Sequence, residues 1–370
     1  MAVTFTLIFG FNSASVFVTI RTSSARSRGS PATHMAETRS GVRCDTAAMI
    51  TRRILTRALF GAMLASGRAT APRAELTGVP EIGFLAPGSR AAMARFVAAF
   101  GRGLGELGYV DGDSIRIAWR FTDEPDGDLA AELARPPRRL VVAPTLSNVL
   151  AVQRANPLMP IVTVAVGDAV AAKLVSSMAR PGGMITGMTD YRSDFPNRRL
   201  QLLRRVLPAL TQIAFLANPE VASSRQTAVA ATAQGIRMID LPVRQPADLE
   251  PALARLGALR AQALLVAPNP LTYTGRARIS AAAQAHRIPV MFGYGDFMDV
   301  DALMSFGADL GELYHEAARY VRDILQGTKA SDLPMREPTR VELVINQANA
   351  RALGLDLPPS LLTEADRLIE

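Results

Sequence analysis

Residues 82–110 read IGFLAPGSRAAMARFVAAFGRGLGELGYV, and this one unit decides the fold. The run IGFLAPG (82–88) is continuously apolar and ends in Pro-Gly, the pattern of a buried strand and its turn. Ser89 stands where a helix cap is wanted, and Met93, Phe96, Val97, Phe100 and Leu104 follow at helical spacing as one apolar stripe. Gly108 ends the helix. A buried strand followed by an amphipathic helix is the repeating unit of a parallel sheet covered on both faces.

The unit recurs on the C-terminal side. Strands are expected at SIRIAWR (114–120), RLVVAPT (139–145), IVTVAVG (161–167) and MITGM (184–188), with helices near 128–133, from Ser147, and from Asp168 to Met178. A second series begins after Asp194. It has strands QIAFLAN (212–218), RMIDLPV (237–243), ALLVAPN (263–269), PVMFGYG (289–295) and ALMSFG (302–307), interleaved with helices, and then a long amphipathic helix, Leu310–Leu325. Two series of about 110 residues predict an α/β fold of two doubly wound parallel-sheet lobes. Ligands of such sheets sit beyond the carboxyl ends of the strands, so the two lobes share one cleft. Small polar residues, prolines and two aromatics, Tyr294 and Phe297, stand at those ends.

The chain has 370 residues and a formal net charge of +8. Ten arginines against Glu37 and Asp45 in residues 1–74 account for all of it, and residues 75–370 hold 31 groups of each sign. A body without net charge has no overall electrostatic attraction to a polyanion, so a nucleic-acid partner is not expected. With 49% hydrophobic and 20% charged residues the body is globular in composition. The single cysteine, Cys44, precedes the body, which excludes an internal disulfide or a cysteine metal site there. Only His286 and His315 supply imidazoles to the body.

The basic leader reads as two parts. Residues 1–48 are expected to be a disordered upstream over-extension of the reading frame. From Met49 the layout is that of an export signal: Arg52, Arg53 and Arg57, the apolar stretch Ala58–Ala65, then small residues up to Ala74. Cleavage is expected near Ala71–Ala74.

Catalytic motifs fail on context. GLGELG (103–108) matches G-x-G-x-x-G but closes a helix instead of opening one, so it reads as a small-residue face plus a terminal glycine. No phosphate loop or nucleophile elbow exists, and no nucleophile, base and orienter assemble. No enzyme, metal or cofactor is expected.

The stretches IGFLAPGS, FGRGLGELGYVDGDSIRIAWRF, MPIVTVAVGDAV, LVSSMARPGGMITGMT, RRLQLLRRVLPALTQIAFLANP and HRIPVMFGYGDFMDV resemble the ABC-transporter substrate-binding proteins of the tryptophan/tyrosine-binding type. The likeness runs from about Ile82 to the C-terminus. It implies a type 1 periplasmic-binding fold with three crossovers and a hinge. Lobe 1 would comprise 76–190 plus 308–330, and lobe 2 would comprise 191–307 plus 331–370. Ligand contacts would fall at Ser89, Thr145, Gly167, Asp168, Asn218, Asn269, Tyr294 and Asp296. The stretch Glu124–Arg139 is shorter than in that family.

The resemblance further implies a periplasmic, monomeric receptor without stable membrane insertion. It would deliver an amino-acid-like, aromatic or carboxylate-bearing small molecule to an ABC permease. A sensory receptor of the same fold, or a cytoplasmic α/β enzyme, is the alternative.

Overall fold

The computed structural model describes residues 5–11, 14–20, 78–122 and 127–370. The chain divides into two units, Met1–Thr70 and Ala71–Glu370. In the first, β1 (Phe5–Phe11) and β2 (Ala14–Ile20) pair antiparallel. The expected export signal, its cleavage point and Cys44 lie outside the described residues. Among the described residues no helix is long and apolar enough to cross a membrane.

In the second unit the strand–helix pattern closes into two sheets. The first half contributes β3 (Glu81–Pro87), α1 (Ala94–Glu106), β4 (Arg116–Thr122), α2 (Gly127–Leu133), β5 (Val141–Val142), α3 (Leu146–Ala155), β6 (Ile161–Thr163) and β7 (Ile185–Gly187). Its five strands are all parallel, in the order β4-β3-β5-β6-β7.

The second half contributes α4 (Phe195–Val206), β8 (Gln212–Ala217), α5 (Ala222–Ala233), β9 (Arg237–Pro242), α6 (Leu249–Ala254), β10 (Ala263–Val266), α7 (Pro270–Thr274), α8 (Arg276–Ala285), β11 (Val290–Phe292) and β12 (Met304–Ala308). After α9 (Leu310–Leu325) come β13 (Val341–Asn346), α10 (Gln347–Leu353), α11 (Pro359–Glu364) and β14 (Arg367–Ile369). The seven strands run in the order β14-β13-β12-β11-β10-β8-β9. Two parallel-sheet α/β lobes are therefore present, as the periodicity predicts.

Three local readings are corrected. The stretch Asp168–Met178 is not a helix. It makes a single turn, with Leu174 N–H donating to Ala169 O, and Lys173 then takes φ +58°. From there the chain lays Leu174 and Val175 onto the core of lobe 1, and that burial overrides local helix propensity. The second sheet is mixed, because β13 returns from lobe 1 and must run antiparallel to β12. Finally, β13 and β14 are strands that the sequence pattern alone does not reveal.

The chain passes between the lobes three times: after β7, between β12 and α9, and between α9 and β13. The passages lie side by side. Met188 bridges Arg336, Thr189 N–H donates to Arg336 O at 3.0 Å, and Asp309 N–H donates to Arg340 O at 3.3 Å. The helix between the second and third passages, α9, packs on α1 in lobe 1 with Leu313, Tyr314, Ala317 and Val321 buried. Gly103 permits this approach: a β-carbon there would sit 2.3 Å from His315 O. Of the glycines in that run, Gly103 alone makes the helix contact; Gly105 and Gly108 have nothing within 4 Å of an added β-carbon.

Candidate functional site

Each expected contact residue lies at the carboxyl end of a strand, and most are first engaged by their own turns. Ser89 is exposed, and its Oγ accepts Ala92 N–H at 3.2 Å. Thr145 caps α3; its hydroxyl accepts Asn148 N–H at 3.3 Å and donates to Asn148 Oδ1 at 2.6 Å. Asn218 Oδ1 accepts Glu220 N–H at 3.0 Å. Asn269 Oδ1 accepts Thr272 N–H at 2.9 Å. These bonds are the capping chemistry that Ser, Thr and Asn supply at any such turn. Because β3, β5 and β6 are neighbours in one sheet and β8, β10 and β11 in the other, the turns form two facing rows.

The other four expected residues join the lobes, together with partners that the sequence reading missed. Gly167 N–H donates to Asp190 Oδ1 at 2.7 Å, and Tyr294 OH from lobe 2 donates to Asp190 Oδ2. Asp190 sits in the first passage, so this carboxylate ties both lobes to the hinge. Burial, and then the Asp190 charge, pushes the Tyr294 phenol well above its ordinary pKa, which keeps it a donor. Behind it, buried Arg199 donates from Nε to Phe306 O at 2.8 Å and from Nη2 to Gly293 O at 3.1 Å. Desolvation lowers its pKa to about 10, so it stays charged at neutral pH.

Two bridges flank this centre. On one side, Asp168 Oδ1 accepts Ala171 N–H at 2.9 Å, and its Oδ2 accepts Gln226 Nε2 from α5 at 3.1 Å. Tyr191, in the first passage, is nearby: its phenol pKa is pushed up to about 12 by burial first and the Asp168 charge second. On the other side, Arg95 of α1 pairs with Asp296 at 2.9 Å and donates to Asp296 O at 3.2 Å and Tyr273 OH at 3.3 Å. Burial raises the Asp296 pKa to about 6 in spite of the nearby guanidinium, with Asp309 and Glu342 adding to the rise.

The Arg95 side is aromatic. Tyr314 and Phe96 stack at 5.0 Å, Phe96 meets Tyr273 across the lobes at 6.4 Å, and Tyr273 leads through Phe297 (5.1 Å) to Tyr294 (5.4 Å). The Arg95 guanidinium lies over the Phe96 ring at 4.6 Å. The lobe boundary is therefore bridged by Asp168 and Gln226 on one side and, on the other, by the Arg95–Asp296 pair beside buried rings of the core.

Arg95, Tyr191, Asp190 and Gln226 escaped the sequence reading because each acts through a partner on another segment. The position of Asp190 just after a short strand was the one local signal available. Two cavities, of about 280 Å³ between α1 and β4 and about 110 Å³ between α5 and the β8–β9 edge, contain none of the bridging residues. Among the described residues no group of three or more His, Cys, Asp or Glu side chains could hold a metal ion. The bridges between the lobes and the hinge suit binding and closure.

Comparison with known proteins agrees with this architecture. A family model described as "ABC transporter substrate binding protein" matches residues 81–369. A tyrosine-binding protein of Clostridioides difficile (strain R20291) is 24% identical over 263 residues, 69% of this chain and 75% of that protein. Two solved structures superpose with a TM-score of 0.73 at 22% identity, each covering 79% of this chain and 100% of its own. One is a conserved domain protein from Vibrio cholerae. The other is an ABC domain from Streptococcus pneumoniae in complex with L-Trp.

Proposed function

The chain belongs to the ABC transporter substrate binding protein family, and from that premise we propose that it is an exported receptor for an aromatic amino acid, which it delivers to an ABC permease. One observation supports the choice of ligand: a carboxylate and an amide bridge the lobes on one side, with a phenol nearby, and rings pack across the lobe boundary on the other. An aromatic amino acid has that same polarity along its length. The tyrosine named for one relative and the L-Trp bound in another point the same way.

Capture works by closure. The strand-end turns carrying Ser89, Thr145, Gly167, Asp168, Asn218, Asn269, Tyr294 and Asp296 form the walls, and the three adjacent passages form the hinge. Ligand held by both rows favours the closed arrangement by its differential affinity for it. The permease then reads the closed form. Export of the receptor rests on the signal-like layout of residues 49–74.

The test is thermal unfolding of the full chain with each common amino acid and a set of small carboxylates. A ligand at about 100 times its Kd stabilises the folded state by about 2.7 kcal/mol, which reads as a rise of several degrees in Tm. L-tyrosine or L-tryptophan is expected to give the largest shift. If every aromatic amino acid leaves Tm unchanged, the ligand assignment is wrong.

A further inference from the structure

Apart from the cleft, lobe 1 has a groove of about 280 Å³ at its sheet edge, between α1 and β4. Val97, Gly101 and Gly105 recur every fourth residue, so they share the side of α1 that lines it. Ile117 and Trp119 of β4 line the other side, with Tyr109 beside them. A β-carbon added at Gly101 or Gly105 would meet nothing within 4 Å, so the space over this part of the helix is open.

The two charged groups of the groove are unequally engaged. Asp111 commits both carboxylate oxygens: Oδ1 accepts Ile117 N–H and Oδ2 accepts Trp119 Nε1–H, each at 2.9 Å. Exposed Arg90 has no carboxylate partner among the described residues. Its guanidinium lies over Phe121 at 5.0 Å and Trp119 at 5.9 Å, two rings stacked on each other at 6.3 Å. A guanidinium resting on rings keeps its fork of N–H donors available to a carboxylate.

An added β-strand does not suit this edge. Asp111 already takes the Ile117 N–H, and Arg120, paired with Glu132, donates from Nη1 to Trp119 O at 2.8 Å. A peptide pairing with β4 would need those same backbone groups. What remains open is the ring-sized space between helix and strand.

We propose that this groove is a second binding site, which takes a planar aromatic carboxylate with its ring between Trp119 and the α1 glycines and its acid group on Arg90. The indole and the bare glycine backbone offer flat apolar faces to a ring, and the unpaired cation supplies the complementary charge. Arg90 sits nearer Phe121, while Asp111 is bound at Ile117, so the two charges stand towards opposite ends of the β4 wall. Repulsion from Asp111 therefore turns the acid group of the ligand towards Arg90. None of these residues belongs to the cleft, so the site stands or falls apart from the receptor reading.

Trp119 is the only tryptophan of the chain, so its emission, excited beyond the tyrosine band, reports this groove directly. The probes are 4-nitrobenzoate, whose nitroarene quenches an indole on contact, and its uncharged counterpart 4-nitrobenzamide. Titrated into the full chain, 4-nitrobenzoate should quench Trp119 saturably and bind about tenfold more tightly than the amide, the value of one charge-assisted contact. Arg90→Gln should weaken the acid about tenfold and the amide by less than about threefold. Gly105→Leu, which fills the groove from an open position, should weaken both by at least about tenfold.

Quenching that grows without saturation would show collision alone and overturn the site. Equal affinity for acid and amide in the wild type, or equal weakening of both in Arg90→Gln, would overturn the carboxylate assignment. Saturable quenching untouched by Gly105→Leu would put the probe outside the groove and overturn the site as well. Both substituted positions are exposed, melting curves of the variants separate lost binding from lost fold, and the wild-type comparison of acid with amide needs no variant.

Discussion

Asp296 sets two effects against each other at a single side chain. Its ion pair with Arg95 favours the charged form, while burial and the neighbouring Asp309 and Glu342 disfavour it; Arg367 sides with Arg95. The pKa of about 6 in the folded protein shows that burial wins. With the folded pKa above the unfolded value, the folded state takes up the proton first, so this residue lowers stability as pH rises through about 4 to 6. Asp296→Asn should therefore be more stable than wild type at pH 8, by about 1–3 kcal/mol, and no more stable near pH 4. Urea unfolding at both pH values checks this; a variant weaker at pH 8 would show that the Arg95 pair outweighs burial. At this scale the sequence was half legible. The strand-end rule finds Tyr294 and Asp296 because it needs only local order. Arg95 and Gln226 gain their roles from partners about 200 and 58 residues away, which no local pattern contains.

Among the elements, α1 and α9 carry the clearest prediction. Gly103 faces His315 O, while Gly105 has nothing within 4 Å of an added β-carbon. Gly103→Ala gains up to about 1 kcal/mol of helix propensity but must force two helices apart, and overpacking costs about 1–3 kcal/mol. It should lower the urea midpoint, while Gly105→Ala should raise it through about 0.5–1 kcal/mol of added stability. Movement of both in one direction would contradict the packing role of Gly103. Helix Leu310–Leu325 was legible to its ends, since its apolar stripe is long and Gly327 stops it. The stretch after Asp168 was not, because its good helix formers lose to the burial of Leu174 and Val175. Strand β13 was illegible because its pairing depends on where the chain re-enters lobe 2.

For the molecule as a whole, the alternation of strands and helices was enough to read two lobes, since it reports burial along the entire body. The hinge was not readable in detail, because it consists of side-by-side passages from distant parts of the chain. One row of rings spans both lobes. Trp119, the only tryptophan, lies 4.6 Å from Phe84, which leads through Tyr314 and Phe96 to Tyr273 at the lobe boundary. The row gives the protein a built-in optical ruler. Light absorbed by Tyr273 and Tyr294 in lobe 2 can be re-emitted by Trp119 in lobe 1, and such transfer falls with the sixth power of separation. Closure on a ligand that does not itself fluoresce should raise tyrosine-sensitised emission from Trp119, and Tyr273→Phe should diminish that rise. A transfer signal indifferent to ligand would mean that the lobes keep a fixed distance, so the same rings that pack across the lobe boundary can report its opening without any attached dye.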